Sequence, residues 1–353
     1  MLLTLGVALL AGCTERGVLA LAQPTRDATI RDVWVVNYRD DLRGRRSLGE
    51  ARTDRALYGR LGVSIPPNHE IGTVQYPSDP PNAETDFVVV NANEFETVRS
   101  FLSSLEQSDT SGQNETLLFV HGYNTTHGEA VYNMAQMGHD LDIPVPTVLF
   151  SWPSSAQARG YVYDRDSAVI SRDRLEELII AATQNRNRKL FLVAHSMGSY
   201  LLMETLRQIA LTGSVDLAER VSGIILMAPD IDTEVFRAQL ERIEEPPDPF
   251  LIVVTEQDGA LRLSAWLTGR KVRLGSLSDA EGLEGLPVTL VDFSSLADGR
   301  SLNHKVATNS PAAIAFIRQI NQIAPPGELN IVDSIVRADA TSGGFGAGLI
   351  GAQ

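Results

Sequence analysis

The chain has 353 residues, 43% of them hydrophobic, so it can form one large α/β domain or two small ones and is not intrinsically disordered. Its formal net charge is −14 at pH 7, and no cluster of lysine and arginine occurs in it. These features argue against nucleic acid as a partner and against charge-driven docking on anionic lipid, and a neutral small molecule is expected instead.

An apolar run over residues 2–10 opens the chain and leads to its single cysteine, Cys13. The run is too short to span a bilayer but fits the core of a signal peptide. The Leu-Ala-Gly-Cys ending at Cys13 resembles a bacterial lipobox, whereas Ala-Leu-Ala at residues 20–22 offers an ordinary cleavage site. We therefore expect residues 1–22 to be a signal peptide or a lipoprotein signal. The protein is then expected in the bacterial cell envelope, either tethered to the membrane through lipidated Cys13 or periplasmic or secreted.

Residues 23–112 alternate between apolar and polar in the manner of strands, as at Val33–Tyr38 and Phe87–Val90. Proline-rich segments at residues 65–69 and 77–82 cannot continue a strand or a helix, so they mark loops. The pattern predicts an antiparallel, β-rich N-terminal extension joined to the main sheet.

From residue 113 to 325 short apolar runs alternate with amphipathic stretches. Near-continuous apolar strands separated by helices predict a mostly parallel central sheet with helices on both faces, an α/β fold. A last helix over residues 311–323 and a glycine-rich tail over residues 326–353 follow. The apolar runs are residues 116–120, 147–150, 190–193, 223–227, 250–254 and 288–291.

The segment Lys189–Tyr200 has the pattern of a nucleophile elbow. A short apolar strand runs into Ala-His-Ser-Met-Gly, with Ser196 at the centre, and a helical pattern follows. A nucleophilic serine occupies a sharp strand-to-helix turn, so the residues two before and two after it must be small. Ala194 and Gly198 meet this demand. The alternative is a serine in an ordinary loop, but strand, pentapeptide and helix together favour Ser196 as the nucleophile.

A catalytic serine needs a base and an acid. Five of the six histidines precede Ser196, whereas α/β hydrolases place their triad in the order serine, acid, histidine, so His304 is the predicted base. Asp258 follows the apolar run 250–254 and is the favoured acid. Asp230 and Asp232 follow the preceding run and remain alternatives, with capping of the next helix as their other role.

Two backbone N–H groups must stabilise the oxyanion that forms during acyl transfer. Met197 supplies one at the start of a helix, and Tyr123 is expected to supply the second from the loop after residues 117–120. In that loop Gly122 lets the backbone approach the substrate, and His121 and Asn124 are expected to brace it.

The predicted substrate-binding residues are Gly122, His195, Trp152 and Tyr161. Trp152 and Tyr161 lie after the second strand of the core, beside the charged run 164–166, where α/β sheets bind ligands. The alternative is that Trp152 belongs to the core and that the charges mark the start of a helix. We expect no metal and no cofactor, because no His/Asp/Glu cluster has the spacing of a helical zinc site and no nucleotide-binding glycine motif follows a strand.

Four motifs together resemble the α/β-hydrolase branch once catalogued as bacterial domain of unknown function 900. They are Phe-Val-His-Gly-Tyr-Asn at residues 119–124, Phe-Ser-Trp-Pro-Ser at 150–154, Ala-His-Ser-Met-Gly at 194–198 and Ala-Pro-Asp-Ile-Asp at 228–232. The resemblance covers residues 28–323 and implies a serine hydrolase fold with Ser196, Asp258 and His304 as the triad. It implies little about the substrate.

The predicted function is therefore cleavage of a small-molecule or lipid ester through an acyl-enzyme on Ser196. Cleavage of a peptide or thioester and acyl transfer use the same groups and remain alternatives. A further alternative is a catalytically silent binding or envelope protein that keeps the fold. The complete order of serine, acid and histidine favours an enzyme, and the oligomeric state is not predicted.

Overall fold

The structure, a computed structural model, describes residues 17–39, 52–254, 273–275, 283–292 and 349–350. Cys13, the predicted helix at residues 311–323 and most of the glycine-rich tail lie outside these residues. None of the helices in the described part of the chain is both long and apolar enough to span a bilayer. The elements are β1 Thr29–Asn37, β2 Leu57–Ile65, β3 Val88–Phe95, α1 Val98–Ser108, β4 Glu115–Val120, α2 His127–Asp140, β5 Thr147–Ser151, α3 Tyr161–Ala182, β6 Lys189–His195, α4 Met197–Thr212, α5 Leu217–Arg220, β7 Val221–Met227, α6 Thr233–Leu240, β8 Phe250–Val254, β9 Thr289–Asp292 and β10 Leu349–Ile350.

One ten-stranded sheet runs in the order β10-β9-β8-β7-β6-β4-β5-β1-β2-β3. The strands from β9 to β1 are parallel, and β2, β3 and β10 pair antiparallel with their neighbours. All six predicted apolar runs of the core overlap strands, β4 to β9. The predicted α/β fold with a mostly parallel sheet and an N-terminal antiparallel extension is therefore confirmed.

Two features of the N-terminal region differ from the prediction. β1 pairs in parallel with β5, with Trp34 opposite Val148, so it belongs to the parallel part of the sheet. The helix α1 interrupts the strand-like pattern that was expected up to residue 112. Its Thr97 and Ser100 form a capping box, and it buries Phe101 and Leu105, which are four residues apart and lie on one helix face.

Each central strand contributes to two separate cores because its side chains alternate between the faces of the sheet. In β4, Leu118 and Val120 pack on one face, while Leu117 and Phe119 pack on the other. Among the described helices, α1, α3, α4 and α6 cover the first face and α2 covers the second. Burial on both faces explains why these strands are apolar without alternation.

The fold creates a crevice where β4 and β6 lie side by side. The chain leaving β4 passes through α2 to β5 on one side, whereas the chain leaving β6 passes through α4 to β7 on the other. Such a reversal opens a crevice outside the carboxyl ends of the two strands, and ligands of open α/β sheets bind there. The loop 121–126 and Ser196 both lie at this edge.

Candidate active site

Ser196 lies between β6 and α4 in a backbone conformation that residues with a side chain rarely adopt. Its φ is 54° and its ψ is −123°. This backbone conformation costs about 1–3 kcal/mol of free energy, so it persists only where neighbouring residues hold it. The N–H of Ser196 donates to the Met227 carbonyl at 2.9 Å, and its carbonyl accepts from the Asp230 N–H at 3.2 Å. The end of β7 thus holds the sharp strand-to-helix turn that the sequence motif predicts.

The small residues around Ser196 are required by the approach of α4 to β4. A methyl group on Gly198 would lie 2.3 Å from the His121 carbonyl oxygen and 2.5 Å from that of Val120. Both obstacles are backbone atoms at the end of β4, so a rotamer change cannot relieve the clash. Ala194, two residues before the serine, is fully buried.

We expect Gly198→Ala to lower the free energy of unfolding by about 1–3 kcal/mol, because it forces α4 away from β4. The same shift moves the Met197 N–H and should lower kcat for an ester. Urea unfolding and ester hydrolysis measure the two effects. Gly138→Ala in α2 is the matched control, because a methyl group there meets no atom within 4 Å and alanine favours a helix. Equal stability of the two variants would contradict this account of the turn.

The loop 121–126 passes close to Ser196. A methyl group on Gly122 would lie 3.0 Å from the Ser196 Cβ and 2.7 Å from the His195 Nδ1. Tyr123 follows Gly122 in this loop, and Met197 is the first residue of α4, so its N–H has no acceptor within the helix. The structure therefore brings together the predicted nucleophile, both predicted oxyanion residues and half-buried His195.

A buried carboxylate holds this loop in place. Asp164, in the first turn of α3, is fully buried and accepts hydrogen bonds from the Asn124 N–H at 3.1 Å, the Ser154 hydroxyl at 2.7 Å and the Ser155 N–H. Asn124 has a φ of 54°, which is uncommon for a residue other than glycine. The hydrogen bond from its N–H to Asp164 therefore stabilises a turn of the loop that the backbone alone disfavours. Sequence reasoning gave Asp164 no role in this loop and took the charged run 164–166, in the alternative interpretation, only as the start of a helix, where Asp164 indeed lies.

Arg39 supplies the opposite charge beneath the same loop. Its guanidinium donates to the Ser154 carbonyl at 2.6 Å. Burial lowers the pKa of this guanidinium to about 10, and the negative charge of Asp164 opposes that shift. Arg39 is thus a partly buried cation at neutral pH, and Asp164 is the carboxylate that compensates it.

Trp152 stacks on His121, the first residue of the loop. Their ring centroids are 5.0 Å apart with planes inclined by 8°, and the Trp152 Nε1–H donates to the His121 carbonyl at 2.7 Å. Burial lowers the pKa of the His121 imidazole to about 3, and the charge of Arg39 acts in the same direction, so the ring is neutral. Since Trp152 is fully buried, its position favours the core alternative over a role in lining the pocket.

Tyr161 links the loop 121–126 to the end of β7. Its ring meets that of Tyr123 edge-on at 5.5 Å, and its hydroxyl donates to Asp230 Oδ2 at 2.9 Å. The Nε of Arg273 lies 3.3 Å from Asp230 Oδ1. The Asp230 carboxylate is therefore engaged by a tyrosine and an arginine.

Asp232 caps α6 by accepting from the N–H groups of Glu234 and Val235, which was its other expected role. Asp258 and His304, the favoured acid and the predicted base, lie outside the described residues.

A model of one protein family, "Alpha/beta hydrolase of unknown function (DUF900)", matches residues 95–321. An uncharacterized protein from Nostoc sp. is 41% identical over 61 residues, which cover 17% of this chain and 16% of that protein. Lipase B from Aspergillus fumigatus aligns with a TM-score of 0.41 at 13% identity, over 69% of this chain and 62% of the lipase. A dienelactone hydrolase from Anabaena variabilis aligns with a TM-score of 0.38 at 13% identity, over 84% of this chain and 96% of that enzyme. Neither of these structural likenesses carries an argument about activity.

Proposed function

The chain belongs to the DUF900 family of α/β hydrolases of unknown function, and from this premise we propose that it is a serine hydrolase that cleaves carboxylic esters through an acyl-enzyme on Ser196. One observation carries the proposal: Ser196 occupies a strained turn, with φ 54° and ψ −123°, beside the glycine of a neighbouring loop. Backbone strain of this kind persists only where contacts with the surrounding structure hold the residue in place, and such strained residues are concentrated at functional sites.

In the proposed reaction His304 accepts the proton of the Ser196 hydroxyl while the oxygen attacks the ester carbonyl carbon. The carbonyl oxygen becomes an oxyanion that accepts hydrogen bonds from the N–H groups of Met197 and Tyr123. His304 then returns the proton to the departing alcohol, and an acyl group remains on Ser196. Water, activated by the same histidine, releases the acid and restores the enzyme.

Three observations support the oxyanion assignment. Met197 starts α4, so its N–H carries the partial positive charge of a helix N-terminus. Gly122 approaches Ser196 so closely that a methyl group there would contact the serine Cβ at 3.0 Å. Asp164 holds the same loop through the Asn124 N–H, which pre-organises it before substrate binds.

The contact of Asp230 with Arg273 favours Asp258 over Asp230 as the acid that orients His304. Asp230 is engaged by Tyr161 and Arg273, while Asp232 caps α6 through Oδ1. A carboxylate already paired with an arginine is a weak partner for an imidazolium, because the arginine charge opposes a second cation.

The triad proposal predicts unequal effects of the three aspartates. The purified protein should hydrolyse p-nitrophenyl esters, and Asp258→Asn and His304→Ala should each lower kcat by about 10⁴-fold. Asp232→Asn is the matched control, since asparagine caps a helix as well as aspartate and both activity and stability should be unchanged. If Asp258→Asn kept its activity while Asp230→Asn lost it at unchanged melting temperature, Asp230 would be the acid.

A further inference from the structure

A second cluster of titratable side chains lies at the opposite edge of the sheet from Ser196. His69 is in the loop 66–75 after β2, and His139 and Asp140 end α2. Because β2 is antiparallel to β1 and α2 runs back from the carboxyl end of β4, both elements end at the amino edge of the sheet. The 14 residues of α2 place this cluster about 20 Å from the active-site crevice.

The three residues each present one atom that can bind a metal, and these atoms lie within 4.8 Å of one another. The His69 Nε2 is 2.7 Å from Asp140 Oδ1, and the rings of His69 and His139 are 5.4 Å apart between centroids. The side chain of His69 is 5% exposed and that of Asp140 is fully buried. Two imidazoles and one carboxylate form a donor set that suits zinc and related transition metals.

Both ring nitrogens of His69 lie against polar partners. Its Nδ1 is 3.0 Å from Gln75 Oε1 and its Nε2 is 2.7 Å from Asp140 Oδ1. A neutral imidazole has one N–H, and if Gln75 accepts it, the lone pair of Nε2 points at a carboxylate oxygen. A second proton or a metal ion between Nε2 and Oδ1 would then hold the two atoms together. A proton joins two atoms only, whereas a metal ion would also use the nitrogen that His139 brings within reach.

The surroundings orient these groups as the outer shell of a metal site does. The second oxygen of Asp140, Oδ2, accepts from the Gly72 N–H at 2.8 Å and from the Gln136 side chain at 2.6 Å. A metal-binding histidine commonly donates its other N–H to a carbonyl or carboxylate, and Gln75 stands in that position for His69. Oδ1 and Nε2 are thus held facing each other.

We propose that His69, His139 and Asp140 bind a zinc ion that ties the loop 66–75 to the end of α2. The ion completes four-coordination with water. Two atoms bonded to a tetrahedral zinc ion at about 2.1 Å are about 3.4 Å apart, so the contact between Nε2 and Oδ1 must open by about 0.7 Å, which a surface loop can accommodate. The site is separate from the proposed hydrolase chemistry, since it lies at the edge of the sheet away from Ser196.

The experiment is a titration of EDTA-treated, dialysed protein with zinc sulfate, followed by calorimetry and by thermal unfolding. We expect one zinc ion per chain and a higher melting temperature in its presence. His139→Ala should weaken binding by about 100-fold or more and leave the melting temperature of the metal-free protein nearly unchanged, because the contact of His69 with Asp140 remains.

Two controls separate this site from the proposed hydrolase. Asp142→Asn, beside the cluster, should bind zinc as the unchanged protein does, and so should Ser196→Ala. The proposal is overturned if zinc does not bind, in which case His69 and Asp140 form an ion pair only. It is also overturned if His139→Ala binds zinc as tightly as the unchanged protein.

Discussion

Replacing Ser196 with alanine is expected to lower kcat for p-nitrophenyl butyrate by about 10⁵- to 10⁶-fold, the largest effect of any single substitution in this chain. Without the hydroxyl no acyl-enzyme forms, and the oxyanion donors and bound water can supply only residual catalysis. Initial rates should be measured together with labelling by a fluorophosphonate, which forms a covalent bond with an activated serine. The unchanged protein should be labelled at Ser196, and the variant should not be labelled at all.

Ser199→Ala provides a matched control on the same helix. Ser199 is a fully buried serine whose hydroxyl donates to the Ala194 carbonyl at 3.2 Å, so its loss should cost about 1 kcal/mol of stability. Its kcat should stay close to that of the unchanged protein. Equal rates for Ser196→Ala and the unchanged protein would contradict the serine mechanism, and inactivity of the unchanged protein without labelling would favour a binding protein.

Asp164→Ala is expected to have the largest effect on stability, a loss of about 3–5 kcal/mol in the free energy of unfolding. The substitution leaves the partly buried guanidinium of Arg39 without its compensating charge and removes the acceptor of three hydrogen bonds. The loop 121–126 loses its anchor as well. We therefore expect kcat to fall by about 10²- to 10³-fold in the fraction that remains folded, as for loss of an oxyanion donor. Urea unfolding and the ester assay below the unfolding transition measure both effects.

Asp166→Ala is the control for that substitution. Asp166 lies two residues further along α3 and is exposed, so its removal should change stability by less than about 0.5 kcal/mol. If Asp164→Ala were as stable and as active as Asp166→Ala, the carboxylate of Asp164 would not hold the loop.

The nucleophile elbow was predictable because its requirements lie within a few residues of one another. A strand must end, a helix must begin, and the positions two away from Ser196 must be small, all of which Ala194 and Gly198 display in the sequence. The resemblance drawn from four short motifs is likewise confirmed by the family match over residues 95–321. The bracing role expected for His121 agrees with its stacking on Trp152.

The prediction differed from the structure at places where the local sequence is compatible with two different structures. Residues 98–108 lie in a region of alternating apolar residues, yet the capping box at Thr97 and the spacing of Phe101 and Leu105 make them a helix. Trp152 follows a strand at the ligand-binding edge of the sheet, and the same position suits a pocket or a buried brace. The buried ring of Trp152 stacks on His121, which follows a different strand, β4.

The sequence by itself determined the α/β architecture and the place of Ser196, because hydrophobic periodicity and turn chemistry act between near neighbours in the chain. Only the tertiary structure decided which polar groups meet. Asp164 reaches the loop 121–126 because α3 starts beside the end of β4, and no spacing in the sequence encodes that contact. His69 and Asp140 are 71 residues apart, and they meet because antiparallel β2 and the returning α2 end at the same edge of the sheet. Charged side chains and candidate metal-binding side chains that are distant in sequence become neighbours only when the strands have paired in their final register.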